Sequence, residues 1–180
     1  DSRKIDPSRR AHLKPDNTLN DNDRVEIGPT ALAFAEWENL GLKTPDMPAL
    51  REYRLARLQA QIRQHDCAGL LLFDPLNIRY ATDTTNMQLW IAHNMARACF
   101  VPPEGKVILW DFHNCEHLSA HLPLVGEVRH GASFFYFETG DHTEKAAAAF
   151  ADQVLDVMRQ HAGTNRRLAV DKIEHVGYSS

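Results

Sequence analysis

The chain has 180 residues, 43% of them hydrophobic, and a formal charge of -4. That is enough apolar material for one sizeable core, and the acid–base balance offers nucleic acid no basic surface. No apolar run reaches the length of about eighteen residues that a membrane-spanning helix needs, and no signal-peptide core opens the chain.

Residues 1–28 are polar and broken by Pro7, Pro15, Asn17, Asn20 and Asn22. They are expected to form an extended arm, with one domain over residues 29–180. "GPTALAFAEWENLGL" predicts a short helix, with Thr30 as its N-cap and Gly41 as its stop. Phe34, Trp37 and Leu40 then share one face. "TPDMPALREYRLARLQAQIRQHDCAG" predicts the strongest helix, capped by Asp46, with Pro48 in its first turn. Leu55, Leu58 and Ile62 make its apolar stripe.

"AGLLLFD" is a short unbroken apolar run and predicts a strand covered on both faces, followed by one or two helical turns over "PLNIRYAT". "ARACFVP" and "KVILWDF" flank "PEG" and predict a hairpin. "NCEHLSAHL" reads as a helix, and "GEVRHG" with "ASFFYFE" as one or two strands. A second amphipathic helix follows over "TEKAAAAFADQVLDVMRQHAG", burying Ala147, Phe150, Ala151, Val154, Val157 and Met158. "RRLAVD" predicts another buried strand, central in the sheet together with "GLLLF". Alternating helices and strands define an α/β fold, a mixed sheet sandwiched between two helical layers.

The three cysteines Cys67, Cys99 and Cys115 form no CxxC pair, which favours a reducing, cytoplasmic location over a disulfide framework. His113, His117 and His121 are spaced by four and would line one helix face. They lack a fourth ligand at a sensible spacing, and no HExxH occurs, so no metal is expected in this chain. Cys115 with a neighbouring histidine makes a poor nucleophile pair, because residues two apart on a helix point to different faces. Asp74, Asp111 and Asp171 each end an apolar run and are expected to cap the element that follows. Trp90 lies in "TTNMQLWIAHN", which has neither helical nor strand period. It either folds back on the core or is presented to a ligand or partner.

"QHDCAGLLLFDPLNIRYATD" resembles the N-terminal domain of the creatinase/prolidase ("pita-bread") family, where a helix leads to a buried strand and a P-x-N-I-x-Y turn. "NDNDRVEIGPT", "DPLNIRYATDTTNMQLW", "GASFFYF" and "HAGTNRRLAVDKI" are similar to one branch of it. That branch is the dimethylsulfoniopropionate lyases of the DddP type, from marine bacteria. The resemblance covers nearly all of residues 2–173. It implies a homodimer in which the N-terminal domain of one subunit reaches over the active site of the other. It implies a second, larger domain holding divalent or iron-type metal ions, to which no residue of this chain corresponds. No catalytic or metal-binding residue is therefore carried over. Trp90 matches the position of an aromatic wall, which suits a sulfonium substrate because an aromatic face attracts an onium cation. Phe34 or Trp37 could approach the same pocket, and His93 receives no role. The rival expectations are an Xaa-Pro peptidase, prolidase or creatinase-type hydrolase of the same fold, or a non-catalytic dimerisation module.

Overall fold

The computed structural model of the chain describes residues 31–86, 92–112, 115, 118, 119, 122–131 and 133–173. The chain divides into two compact units, Asp1–Thr44 and Pro45–Ser180. The expected arm over residues 1–28, with the Thr30 cap, lies outside the described residues.

In the first unit, α1 runs over Ala31–Asn39. Gly41 ends it at φ +69°. The amide of Leu42 donates to the carbonyl of Trp37 at 2.8 Å and that of Gly41 to Glu38 at 2.9 Å. This bond pair closes a helix on a left-handed residue and explains why glycine stands there. Phe34 and Trp37 meet edge to face, 5.5 Å between centroids.

The second unit is a five-stranded mixed sheet between helices. Its strands are β1 (Gly69–Leu72), β2 (Ala98–Val101), β3 (Val107–Asp111), β4 (Val125–His130) and β5 (Leu168–Val170), in the order β4-β3-β2-β1-β5. β1–β2 and β2–β3 pair antiparallel; β1–β5 and β3–β4 pair parallel. The helices are α2 (Met47–Gln64), α3 (Pro75–Thr82), the single turn α4 (Tyr136–Thr139) and α5 (Thr143–Ala162).

Alternation along the three inner strands assigns every side chain to a layer. Leu71, Ala98, Phe100, Ile108 and Trp110 pack with Ala147, Phe150, Val154, Val157 and Met158 of α5. Leu72, Cys99, Val101, Val107 and Leu109 pack with Leu55 and Ile62 of α2 and Ile78 and Ala81 of α3. Because both faces are apolar, these strands carry no polar alternation, and the sheet must be covered twice. Gly69 is needed for this packing: a Cβ there would come within 2.3 Å of the Phe100 ring.

Caps follow the expected chemistry. Asp46 accepts from the amide of Ala49 at 3.0 Å and starts α2. Asp74 accepts from Leu76 and Asn77 and starts α3. The hairpin turns at Gly105, φ +86°.

Two expectations need correction. "RLAVD" is not central: β5 is paired on the β1 side only and is half-buried to exposed among the described residues. Its apolar run reflects contact with α5 by Leu168 rather than burial on both faces. Residues 133–138 of "ASFFYFE" do not form a strand. Gly131 leaves β4 at φ +43°, and the amides of Glu138 and Thr139 both fold back to the carbonyl of Phe135 at 3.1 Å. Phe134 and Phe135 are buried, whereas Tyr136 and Phe137 are 72% and 85% exposed. The run therefore divides between core and surface as a helical turn, which a two-residue period does not.

Candidate functional site

The residues that matched the family turn lie between β1 and β2, at one end of the sheet. β1 delivers Phe73 and Asp74, and α3 follows over eight residues. The helix ends on Asp83, whose φ of +63° reverses the chain. Aspartate tolerates this left-handed backbone better than most residues. The Asp83 carboxylate holds the reversal by accepting from Arg51 Nε of α2 at 2.7 Å, with Arg51 Nη2 also at 2.7 Å.

Beyond Asp83 the chain turns into the interior. Thr84 is fully buried and Asn86 is 8% exposed. Asn86 Nδ2 donates to Asp111 Oδ1 at 2.8 Å, and Arg97 Nη2 donates to Thr84 Oγ1 at 2.8 Å. Arg97 Nη2 also stands 3.0 Å from Asp111 Oδ2, and both side chains are wholly buried. That contact is Coulombic: it lacks the alignment of a hydrogen bond, and Asp111 Oδ2 accepts none. The amide of Phe112 completes Oδ1 at 2.8 Å. Among the described residues, Arg97 Nε and Nη1 meet no acceptor. Burying a guanidinium and a carboxylate strips both of water, so the pair depends on each partner being present.

Asp171, at the end of β5, stands close by in the chain's own pattern but is built differently. Its carboxylate accepts from the amides of Phe73 (2.9 Å), Asp74 (3.0 Å) and Lys172 (2.6 Å) and from Asn77 Nδ2 (3.0 Å). It ties the β1–α3 turn to β5. Neither Asp111 nor Asp171 simply caps the next element, whereas Asp74 does.

The other expected residues scatter. Trp90 lies outside the described residues, as do His113, His117 and His121. His93 is exposed. The described part of "NCEHLSAHL" bonds in steps of three, Leu118 N to Cys115 O and Leu122 N to Ser119 O, both 3.0 Å. Cys115 is half-buried. Among the described residues no three His, Cys, Asp or Glu side chains converge as a metal site, and no helix is long and apolar enough to cross a membrane. An apolar groove of 560 Å³ opens between α5 and β5, lined by Phe134, Phe150, Met158, Leu168 and Ile173 among others. The Thr84–Asn86–Arg97–Asp111 cluster escaped sequence reasoning. Its one visible signal is an arginine set directly before an otherwise apolar strand, which demands a buried acid.

The fold and this turn define a class. The family model of the creatinase/prolidase N-terminal domain matches residues 54–176, and the chain belongs to that family. Among its relatives, the chain is 54% identical over 173 residues to the dimethylsulfoniopropionate lyase DddP of Roseovarius nubinhibens. It is 53% identical over 172 residues to that of Roseobacter denitrificans. Each alignment takes in 96% of this chain but only 39% and 38% of the relatives' own length. Among solved structures, the N-terminal domain of the cytoplasmic peptidase PepQ from Mycobacterium tuberculosis aligns over 71% of this chain and 97% of its own. Dipeptidase PepE from Mycobacterium ulcerans aligns over 70% and 36%. Both stand at 17% identity and a TM-score of 0.35, too low to bear on function.

Proposed function

We propose that this chain is the N-terminal domain of a dimethylsulfoniopropionate lyase. The observation that carries the reading is identity above one half over 96% of the chain with two proteins of that name. The reaction is an elimination. A base takes the proton alpha to the carboxylate, the carbon–sulfur bond breaks, its electron pair leaves on dimethyl sulfide, and acrylate remains. Metal ions in a second domain would supply polarisation of the carboxylate. This chain's part is to assemble a cytoplasmic homodimer and to wall the neighbouring subunit's pocket with Trp90. An indole face there would desolvate the sulfonium group and attract its charge.

The test is dimethyl sulfide release from dimethylsulfoniopropionate by the full-length polypeptide that carries this domain. Gas release is expected from that protein and none from the 180-residue chain alone. Trp90→Ala in the full-length protein lowers kcat/KM by about five- to thirty-fold, the loss matching an onium–aromatic contact of about 1–2 kcal/mol, and Trp90→Phe restores part of it. Cleavage of Xaa-Pro dipeptides without gas release would move the protein to the peptidase side of its family.

A further inference from the structure

β4 forms one edge of the sheet among the described residues, and at six residues it is the longest of their strands. Bonds on its inner side fix what its outer side offers. The amide of Gly131 donates to the carbonyl of Asp111 at 2.8 Å, and Asp111 pairs with His130 in the parallel register. Backbone groups alternate sides along a strand, so Glu127 and Arg129 also turn their amides and carbonyls to β3. Val128, between them, turns its own away from the sheet.

Side chains alternate as well. Val128 packs on the core under α2, whereas Glu127 and Arg129 share the opposite face. Arg129 Nε and Nη2 donate to Glu127 Oε1 and Oε2 at 2.8 and 3.1 Å, and the guanidinium lies 5.7 Å over the Trp110 ring. Both charges are thus held in place before any partner arrives, which lowers the entropy lost on binding. The glutamate side chain is 49% exposed. Edges that must stay single are commonly blocked by lysine or proline. This one carries one charge of each sign, two residues apart, around an outward donor and acceptor.

That order is self-complementary. With a second copy set antiparallel about a two-fold axis through Val128, the two Val128 residues exchange both backbone bonds. Glu127 then falls opposite Arg129 of the second copy, and Arg129 opposite its Glu127. These are non-hydrogen-bonded pairs, where side chains come closest, and opposite charges placed there attract. Registers centred on Glu127 or on Arg129 set like charges face to face, which is unfavourable.

We propose that β4 is a dimerisation edge whose partner is β4 of a second copy of this chain, joined antiparallel about Val128 so that the two sheets become one. The proposal names the surface of the homodimer put forward above and rests on that reading for the second copy; the lyase chemistry does not enter.

The test uses the full-length polypeptide that carries this domain. Glu127→Arg and Arg129→Glu each gather like charges at the junction, and each is expected to raise the Kd of dimerisation, read by analytical ultracentrifugation, by about tenfold or more. Neither variant keeps the Glu127–Arg129 pair within its own chain, so an equimolar mixture of the two probes the contact between chains alone. Arginines of one chain then face glutamates of the other, and native mass spectrometry is expected to show mixed dimers in excess of either parent dimer. A second readout needs no substitution. In the unaltered protein the amide of Val128 is expected to exchange with solvent within about tenfold of the rate of Arg129, whose amide is bonded to β3; an open edge leaves Val128 about a hundredfold faster or more. Single variants that dimerise as the unaltered protein does, a mixture without mixed dimers, or fast exchange at Val128 each overturn the proposal. Dimethyl sulfide release reports separately: a protein that forms mixed dimers and protects Val128 but releases no gas keeps this edge and loses the lyase reading.

Discussion

Asp111 and Asp171 stand at the same point in the pattern, each closing an apolar strand, in "VILWD" and in "LAVD". The interior treats them differently. Asp111 is fully buried and faces a guanidinium. Asp171 is half-exposed and is held by three backbone amides and one side-chain amide. Amides bring no net charge to desolvate, so Asp171 can be removed without stranding a cation. Asp111 cannot. β3 lies inside the sheet and β5 at its edge, and that placement decides which carboxylate is sealed from water.

The largest effect is therefore expected at Asp111. Asp111→Ala leaves Arg97 buried and unpaired, at a cost of about 3–5 kcal/mol, a large part of the stability of a domain this size. Arg97→Met combined with Asp111→Leu removes both charges and restores most of the loss. Urea denaturation of the three proteins gives the comparison. A double variant as unstable as Asp111→Ala would mean that the pair is itself a net source of stability.

A smaller effect is expected at Asp171. Asp171→Ala should cost about 1–3 kcal/mol, because water reaches part of the site and no cation is stranded. The amides of Phe73 and Asp74 lose their acceptor, so their hydrogen exchange should accelerate ahead of the rest of β1. Uniform acceleration across the sheet would show that Asp171 acts on global stability and does not tie the turn locally.

The two helical layers and the inner strands were legible because their signals are local. Leu55 and Ile62 recur at helical spacing, Asp46 and Asp74 precede prolines, and Gly105 breaks two apolar runs. What escaped depends on neighbours distant in the chain. Leu168–Val170 looks as apolar as Leu70–Leu72, and only strand order reveals it as an edge. Phe134–Phe137 reads as a strand until Gly131 turns the backbone away. Arg97 finds Asp111 across the β2–β3 hairpin and Asn86 across a loop, pairings that no spacing encodes. At the candidate site the turn was legible through Asp74 and the αL residue Asp83 was not. The Thr84–Asn86–Arg97–Asp111 cluster was visible only in three dimensions.

Cys99 senses both Arg97, the partner of Asp111, and Asp171, with the smallest expected effect. It lies on β2, opposite Leu72 of β1 and Leu109 of β3. Burial pushes its thiol from 9.0 up to about 12; Arg97 pulls the other way and Asp171 adds to the rise. The folded value lies above the unfolded one. Between pH 9.0 and about 12 the unfolded chain therefore sheds a proton that the native chain keeps. Native protein binds more protons in that window, so stability falls as pH rises through it and is unaffected below it. One pH unit into the window the loss is about 1 kcal/mol. Comparing denaturation of the protein and of Cys99→Ala at pH 8 and pH 10 isolates this term, since other groups titrate in both. Asp171→Asn removes a negative neighbour and should narrow the window, whereas Arg97→Met paired with Asp111→Leu removes the cation that lowers the thiol's value. Native Cys99 should also resist iodoacetamide at pH 9 while the half-buried Cys67 and Cys115 react, because alkylation requires an exposed thiolate. Rapid labelling of Cys99 without denaturant would mean that β2 opens locally, and the inner strands around Asp111 would then be no better protected than the edge strand that carries Asp171.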